Sequence, residues 1–80
     1  MTSSREIRIV NDLEEISRIQ EFIEELGNDL NLSSETIMNI NLALEEAVVN
    51  VIMYAYPEGE HHEILLKVTV SPQQLIFLLT

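Results

Sequence analysis

The residues most able to do chemistry lie near the middle of the chain, in Leu42-Ala43-Leu44-Glu45-Glu46-Ala47-Val48-Val49-Asn50. A carboxylate and a carboxamide embedded among Leu, Ala and Val are out of place on an otherwise apolar segment. Glu46 and Asn50 are four apart, which on a helix is a rotation of about 40° and a rise of about one turn, so both project from one face. A Glu carboxylate accepts a proton, and an Asn carbonyl oxygen suits a hard cation such as Mg²⁺. Together they could orient a nucleophile and hold a metal-bound phosphate chain, which is most of what phosphoryl transfer asks of a protein. Glu-x-x-x-Asn also arises often by chance. On spacing alone, two solvated or packing polar residues remain the plainer reading.

Other chemistry-bearing residues are more easily explained by structure. His61-His62, between Glu60 and Glu63, invites comparison with a metal cluster. Neighbouring positions in a strand or turn point in different directions, and no third His completes a set, so a solvated turn is expected. Met38 and Met53 read as core or gap-filling residues. A wet acidic face formed by Glu21, Glu24, Glu25 and Asp29 reads as solvated.

Composition narrows the functional classes. The 80 residues carry 4 Lys plus Arg against 14 Asp plus Glu, a formal charge of −10. Such a surface repels phosphate backbones, so no direct nucleic-acid role is expected, and a basic protein partner fits better. With 46% apolar residues the chain has the makings of a packed core, and with no Cys it has neither disulfides nor thiolate metal ligands. Met1-Thr2-Ser3-Ser4-Arg5-Glu6 lacks the apolar run of a leader, and uninterrupted apolar runs such as Leu75–Leu79 are far shorter than a membrane span. A soluble cytoplasmic protein without a membrane span is the expectation.

The elements that must position Glu46 and Asn50 follow from periodicity. Glu6-Ile7-Arg8-Ile9-Val10 alternates as a half-buried strand does. Asn11-Asp12 offers an N-cap, after which Leu13, Ile16, Ile19, Ile23, Leu26 and Leu30 recur at threes and fours. That spacing predicts an amphipathic helix of about five turns, with Gly27 blurring its end. Asn31-Leu32-Ser33-Ser34 breaks the chain, and either Ser can cap a second helix running to about Ala55. Its main apolar face is expected at Ile37, Ile40, Leu44, Ala47, Val48, Val51 and Tyr54. Leu42, Val49 and Ile52 fall off that stripe and suggest cover on more than one side. Pro57 and Gly59 end the helix. Ile64, Leu66, Val68 and Val70 then share one face of a strand, Ser71-Pro72-Gln73-Gln74 turns, and Leu75–Thr80 completes a hairpin. Strand-helix-helix-strand-strand is an α+β order, most simply a two-layer sandwich with both helices on one face of the sheet.

The stretch from Asn41 to Tyr56, with Glu46 and Asn50 at its centre, resembles the helix carrying the Asn-containing nucleotide motif in bacterial anti-sigma factor serine kinases. These kinases belong to the histidine-kinase-like ATPase superfamily, with gyrase, the histidine kinases and MutL. The similarity extends over essentially the whole chain through the order of elements, and only this helix carries a specific motif. The resemblance implies that Glu46 is the general base and Asn50 the Mg²⁺ ligand for bound ATP, with Glu45 the alternative if the register is off by one. It further implies that Glu14 and Arg18, on the first helix, contact a sigma factor, and that an anti-anti-sigma protein receives the phosphate. Glu14-x-x-x-Arg18 is equally the spacing of an ordinary helix ion pair.

The family's next motif, an Asp-x-Gly-x-Gly box whose Asp holds the adenine amino group, does not occur in these residues. Residues 1–80 therefore read as a partial domain ending before that box, binding ATP–Mg²⁺ weakly and inactive alone. An apolar final strand with no polar cap adds the expectation of a homodimer or larger assembly. The alternative function is a non-enzymatic interaction domain using the acidic first helix.

Overall fold

A computed structural model describes residues 3–57 and 59–80. The first strand, β1 (Ser3–Val10), enters a short 3-10 turn at Leu13–Glu15, then α1 (Ile16–Asp29) and α2 (Ser34–Tyr54). The hairpin strands β2 (Glu63–Val70) and β3 (Leu75–Leu79) follow. The expected α+β order holds, with β2 central in an antiparallel sheet of order β1-β2-β3. Ile9 faces Ile64, Ile7 faces Leu66 and Arg5 faces Val68, while Val68 in turn faces Phe77 of β3. This register puts the alternating apolar residues of all three strands on the helix side.

Ile64, Leu66 and Val68 of the central strand are fully buried beneath Ile19, Ile23 and Leu26 of α1 and Leu44 and Val48 of α2. β2 supplies the floor of the core because it alone has neighbours on both edges. At about 25 cal/mol per Å² of apolar area removed from water, each such side chain contributes on the order of 1.5–3 kcal/mol before the entropy of ordering it.

Local chemistry sets the helix ends. The Glu14 N–H donates to Asp12 Oδ1 at 3.0 Å, so the expected cap forms, but it opens a 3-10 turn and regular α-helix begins only at Ile16. At the other end Asn31 adopts a left-handed conformation, φ 56°, while the Leu32 N–H donates to the Gly27 carbonyl at 2.8 Å and the Asn31 N–H to that of Asn28 at 3.3 Å. This paired closure satisfies terminal carbonyls, and Asn tolerates the conformation better than most side chains. Ser33 caps α2, its Oγ accepting the Thr36 N–H at 3.1 Å.

Gly27 does more than weaken the end of a helix. It is buried, and a Cβ there would overlap Cγ1 and Cδ1 of Ile37 on α2. The missing side chain is what lets the two helices come together at this point.

The α2 surface departs from the expected stripe. Leu44 and Val48 are its buried anchors, with Ile37, Ile40, Val51 and Ile52 packed partly against the core. Ala47 is exposed, as are Met38 and Met53, and Tyr54 is 82% exposed. Val49 and Ile52 are half-buried as expected of a helix covered on two sides, whereas Leu42 is exposed. Hydropathy marked these residues as interior; the sheet and α1 cover only part of the circumference, and the rest of the helix has no neighbour among the described residues. By length and composition α2 could cross a membrane, but Leu44 and Val48 here lie in the core, and Glu45-Glu46 interrupt its middle.

Candidate functional site

The uncovered face of α2 is where Glu46 and Asn50 lie. Asn39, Ala43, Glu46, Ala47, Asn50 and Tyr54 are all exposed, and Asn39, Ala43, Glu46, Asn50 and Tyr54 follow one another at threes and fours, with Ala47 beside Glu46. They form one continuous stripe along the helix. Ala43 and Ala47 are small, so nothing on the helix itself obstructs approach to the two polar groups. Among the described residues neither Glu46 nor Asn50 enters a side-chain hydrogen bond or ion pair, and both retain their full donor and acceptor capacity. A groove of about 430 Å³ adjoins this face, lined by Thr36, Asn39, Ile40, Ala43 and Leu44 and floored by Phe77 of β3.

Glu45 is placed differently. It is half-buried and lines the separate groove between α1 and α2, about 530 Å³, with Gln20, Glu24, Asn28 and Asn41. Five residues separate Glu45 from Asn50, a rotation of about 140°, so the two cannot serve one ligand on one face. Asn41 Oδ1 in that groove is buried without a hydrogen-bond partner among the described residues. The structure thus brings Glu46, not Glu45, together with Asn50.

A carboxylate beside a carboxamide oxygen is a fitting donor set for a proton and a hard divalent cation. The small neighbouring side chains leave room for a phosphate chain. ATP and Mg²⁺ fit this half of a site, while the residues present include no Asp-x-Gly-x-Gly segment to hold a base.

The first-helix pair is assembled otherwise than its spacing suggests. Arg18 pairs with Glu15, not Glu14, through contacts of 3.0 and 3.1 Å to the two carboxylate oxygens. Glu15 also accepts the Val10 N–H at 3.1 Å, which ties the end of β1 to the start of α1. That backbone donor, reinforced by the Arg18 guanidinium, holds the Glu15 carboxyl below the usual carboxylate range. Glu14 is exposed and, among the described residues, makes no ion pair. The 3-10 turn rotates Glu14 off the Arg18 side and presents Glu15 to it. The signal for Glu15 was Asp12-x-x-Glu15, a capping-box spacing.

The His pair is only half a solvated turn. His61 is exposed, but His62 is half-buried and stacked on Tyr56, ring centroids 4.1 Å apart, with Nε2 2.9 Å from Glu60 Oε1. Asn11 fastens the same loop: its Nδ2 donates to the Glu60 carbonyl at 2.8 Å and its Oδ1 accepts the His62 N–H at 2.9 Å. These contacts anchor the end of α2 against the sheet. Among the described residues no three His, Asp or Glu side chains converge on a metal position.

The sequence profile of the histidine kinase-like ATPase domain matches residues 9–80, a span containing the site, both helices and the hairpin. No curated protein and no solved structure matches the chain significantly. With nine-tenths of its length matched, and with a carboxylate and a carboxamide exposed side by side on the central helix, the chain belongs to the histidine kinase-like ATPase domain family.

Proposed function

We infer that the chain is the catalytic-helix portion of a cytoplasmic anti-sigma factor serine/threonine-protein kinase. In this reading it binds ATP–Mg²⁺, sequesters a sigma factor and phosphorylates a serine of an anti-anti-sigma protein. The observation that carries the reading is the shared, unobstructed face of Glu46 and Asn50, with Glu45 turned into the interhelical groove. When bound, ATP–Mg²⁺ supplies the phosphoryl group and the cationic charge that balances its oxygens. Glu46 accepts the proton of the incoming serine hydroxyl as the oxygen bonds to phosphorus and the bond to the leaving diphosphate oxygen breaks. Asn50 directs its carbonyl oxygen to the metal. The exposed acidic face of α1 and the Glu14–Arg18 region offer the partner a surface of opposite charge to a basic protein.

These 80 residues contain glycine only at 27 and 59 and no adenine-holding box, so ATP affinity from these residues alone is expected to be low. A second reading is a non-enzymatic interaction domain built on acidic α1, whose exposed Glu21, Glu24 and Glu25 would meet a basic partner. Kinase assays on the full-length protein separate the two. Glu46→Gln keeps shape and removes the base, so turnover should fall by about 10²–10⁴-fold with nucleotide binding retained, and Glu45→Gln should leave turnover close to wild type. Unchanged turnover in Glu46→Gln overturns the assignment.

A further inference from the structure

The groove between α1 and α2, about 530 Å³, is lined by hydrogen-bonding side chains that the fold itself does not use. Glu24 stands on the α1 wall and Glu45 on the α2 wall, with Gln20 and Asn41 beside them. Among the described residues none of these side chains makes a hydrogen bond or an ion pair, and Asn41 Oδ1 is buried while it lacks a donor. The cationic side chains of the chain are engaged or placed elsewhere. Arg5 is paired with Asp29, Arg8 with Glu6 and Glu63, and Arg18 with Glu15, while Lys67 stands opposite Glu6 on the sheet. The groove also has an apolar lip, where Met38 is 55% and Leu42 58% exposed.

We propose that this groove is a docking pocket for an arginine side chain of a basic partner protein. The occupant carries positive charge, because Glu24 and Glu45 stand on opposite walls with no cation of the chain between them. It donates hydrogen bonds in more than one direction, because the two carboxylates and Asn41 Oδ1 all accept. A buried acceptor without a donor weakens a fold by the cost of stripping its water, so Asn41 gains when a donor arrives from outside. The occupant also carries an apolar stem, which covers Met38 and Leu42. Arginine meets all of these requirements, since its guanidinium holds several N–H donors in one plane at the end of a methylene stem. A lysine ammonium is compact and more strongly hydrated, and it satisfies fewer of these acceptors at once. Glu45 is rotated about 140° from Asn50, so the arginine belongs to a partner held on the α1–α2 side and not to the molecule that reacts at Glu46. This pocket rests on the reading of acidic α1 as the partner-facing helix, and it adds to that reading the residue type recognised and its place.

Titrating N-acetyl-arginine methylamide into labelled protein, and following amide shifts, tests the pocket without knowledge of the partner. Saturable shifts should appear at Gln20, Glu24, Asn41 and Glu45, including the Asn41 side-chain amide, and N-acetyl-lysine methylamide and spermidine should bind more weakly. Glu45→Gln should weaken arginine binding by about tenfold, as expected of a lost hydrogen bond to a charged group. Glu35→Gln removes the same charge from an exposed position outside the groove and should change little. Asn41→Leu replaces the unpartnered acceptor by an apolar side chain, so it should raise the melting temperature while lowering arginine binding. An Asn41 that serves only the fold would lower stability when replaced. Absence of saturable shifts, equal effects of Glu45→Gln and Glu35→Gln, lysine or spermidine binding as tightly as arginine, or an Asn41→Leu variant less stable than wild type would each overturn the proposal. The kinase reading fails instead on the turnover of Glu46→Gln, which none of these measurements involves.

Discussion

Replacing Gly27 by alanine tests the packing that aims α2. Alanine in a helix interior is favoured over glycine by about 1 kcal/mol, so on an exposed helix the change would stabilise. Here the new methyl overlaps Cγ1 and Cδ1 of Ile37, and forcing an extra carbon into a packed contact costs about 1–3 kcal/mol. The balance is a net loss of up to about 2 kcal/mol. For a domain of this size each kcal/mol lowers Tm by about 4–8 °C. The sign should reverse in an Ile37→Ala background, where the obstructing carbons are gone and the propensity gain of about 1 kcal/mol remains. Urea unfolding of the four proteins in this cycle gives the coupling directly, expected at about 1–3 kcal/mol. Gly27→Ala that stabilises the protein with Ile37 intact would refute the close approach of α1 and α2.

Two further outcomes follow from the β1–α1 junction and the acidic surface. Because the folded-state pKa of Glu15 is depressed below its ordinary value near 4.5, its contribution is present above that value and lost as pH falls through the folded pKa. The stability difference between wild type and Glu15→Gln should therefore be largest near neutral pH and shrink on acidification, and a difference independent of pH in acid unfolding curves would count against the Val10 and Arg18 contacts. Association with a basic sigma-type partner should slow as salt rises, since exposed charges are screened over about 8–10 Å at physiological ionic strength, and Arg18→Glu should weaken that association if the first-helix region is the contact. Stopped-flow rates insensitive to both salt and Arg18→Glu would remove α1 from the interface.

Periodicity made β1, α2 and the β2–β3 hairpin legible, because each carries a long, regular apolar pattern bounded by strong turn residues. It could not say which side of α2 would be covered. Ala47, Met38, Met53 and Tyr54 are apolar, yet the sheet and α1 reach only the Leu44–Val48 side, and hydropathy does not record how many neighbours a helix has. The same limit applies to Glu45 and Glu46, which only the orientation of α2 places on different faces. Glu14-x-x-x-Arg18 has the spacing of a helix ion pair, but the chain makes a 3-10 turn there and Arg18 pairs with Glu15. Asn11 and His62 could not be joined from the sequence for another reason. They are 51 residues apart in the chain, and their hydrogen bonds exist only once β1 and β2 are side by side.

The central claim is that the bare face of α2 receives Mg²⁺–nucleotide. Titrating ATP into isotopically labelled protein, with and without Mg²⁺, and following backbone amide shifts tests it even at low affinity. The account predicts Mg²⁺-dependent shifts at Asn39, Ala43, Glu46, Ala47 and Asn50, abolished by Asn50→Ala, with Ile37, Leu44 and Val48 much less affected. Shifts confined to the α1 face, or a response on α2 that ignores both Mg²⁺ and Asn50→Ala, would contradict it.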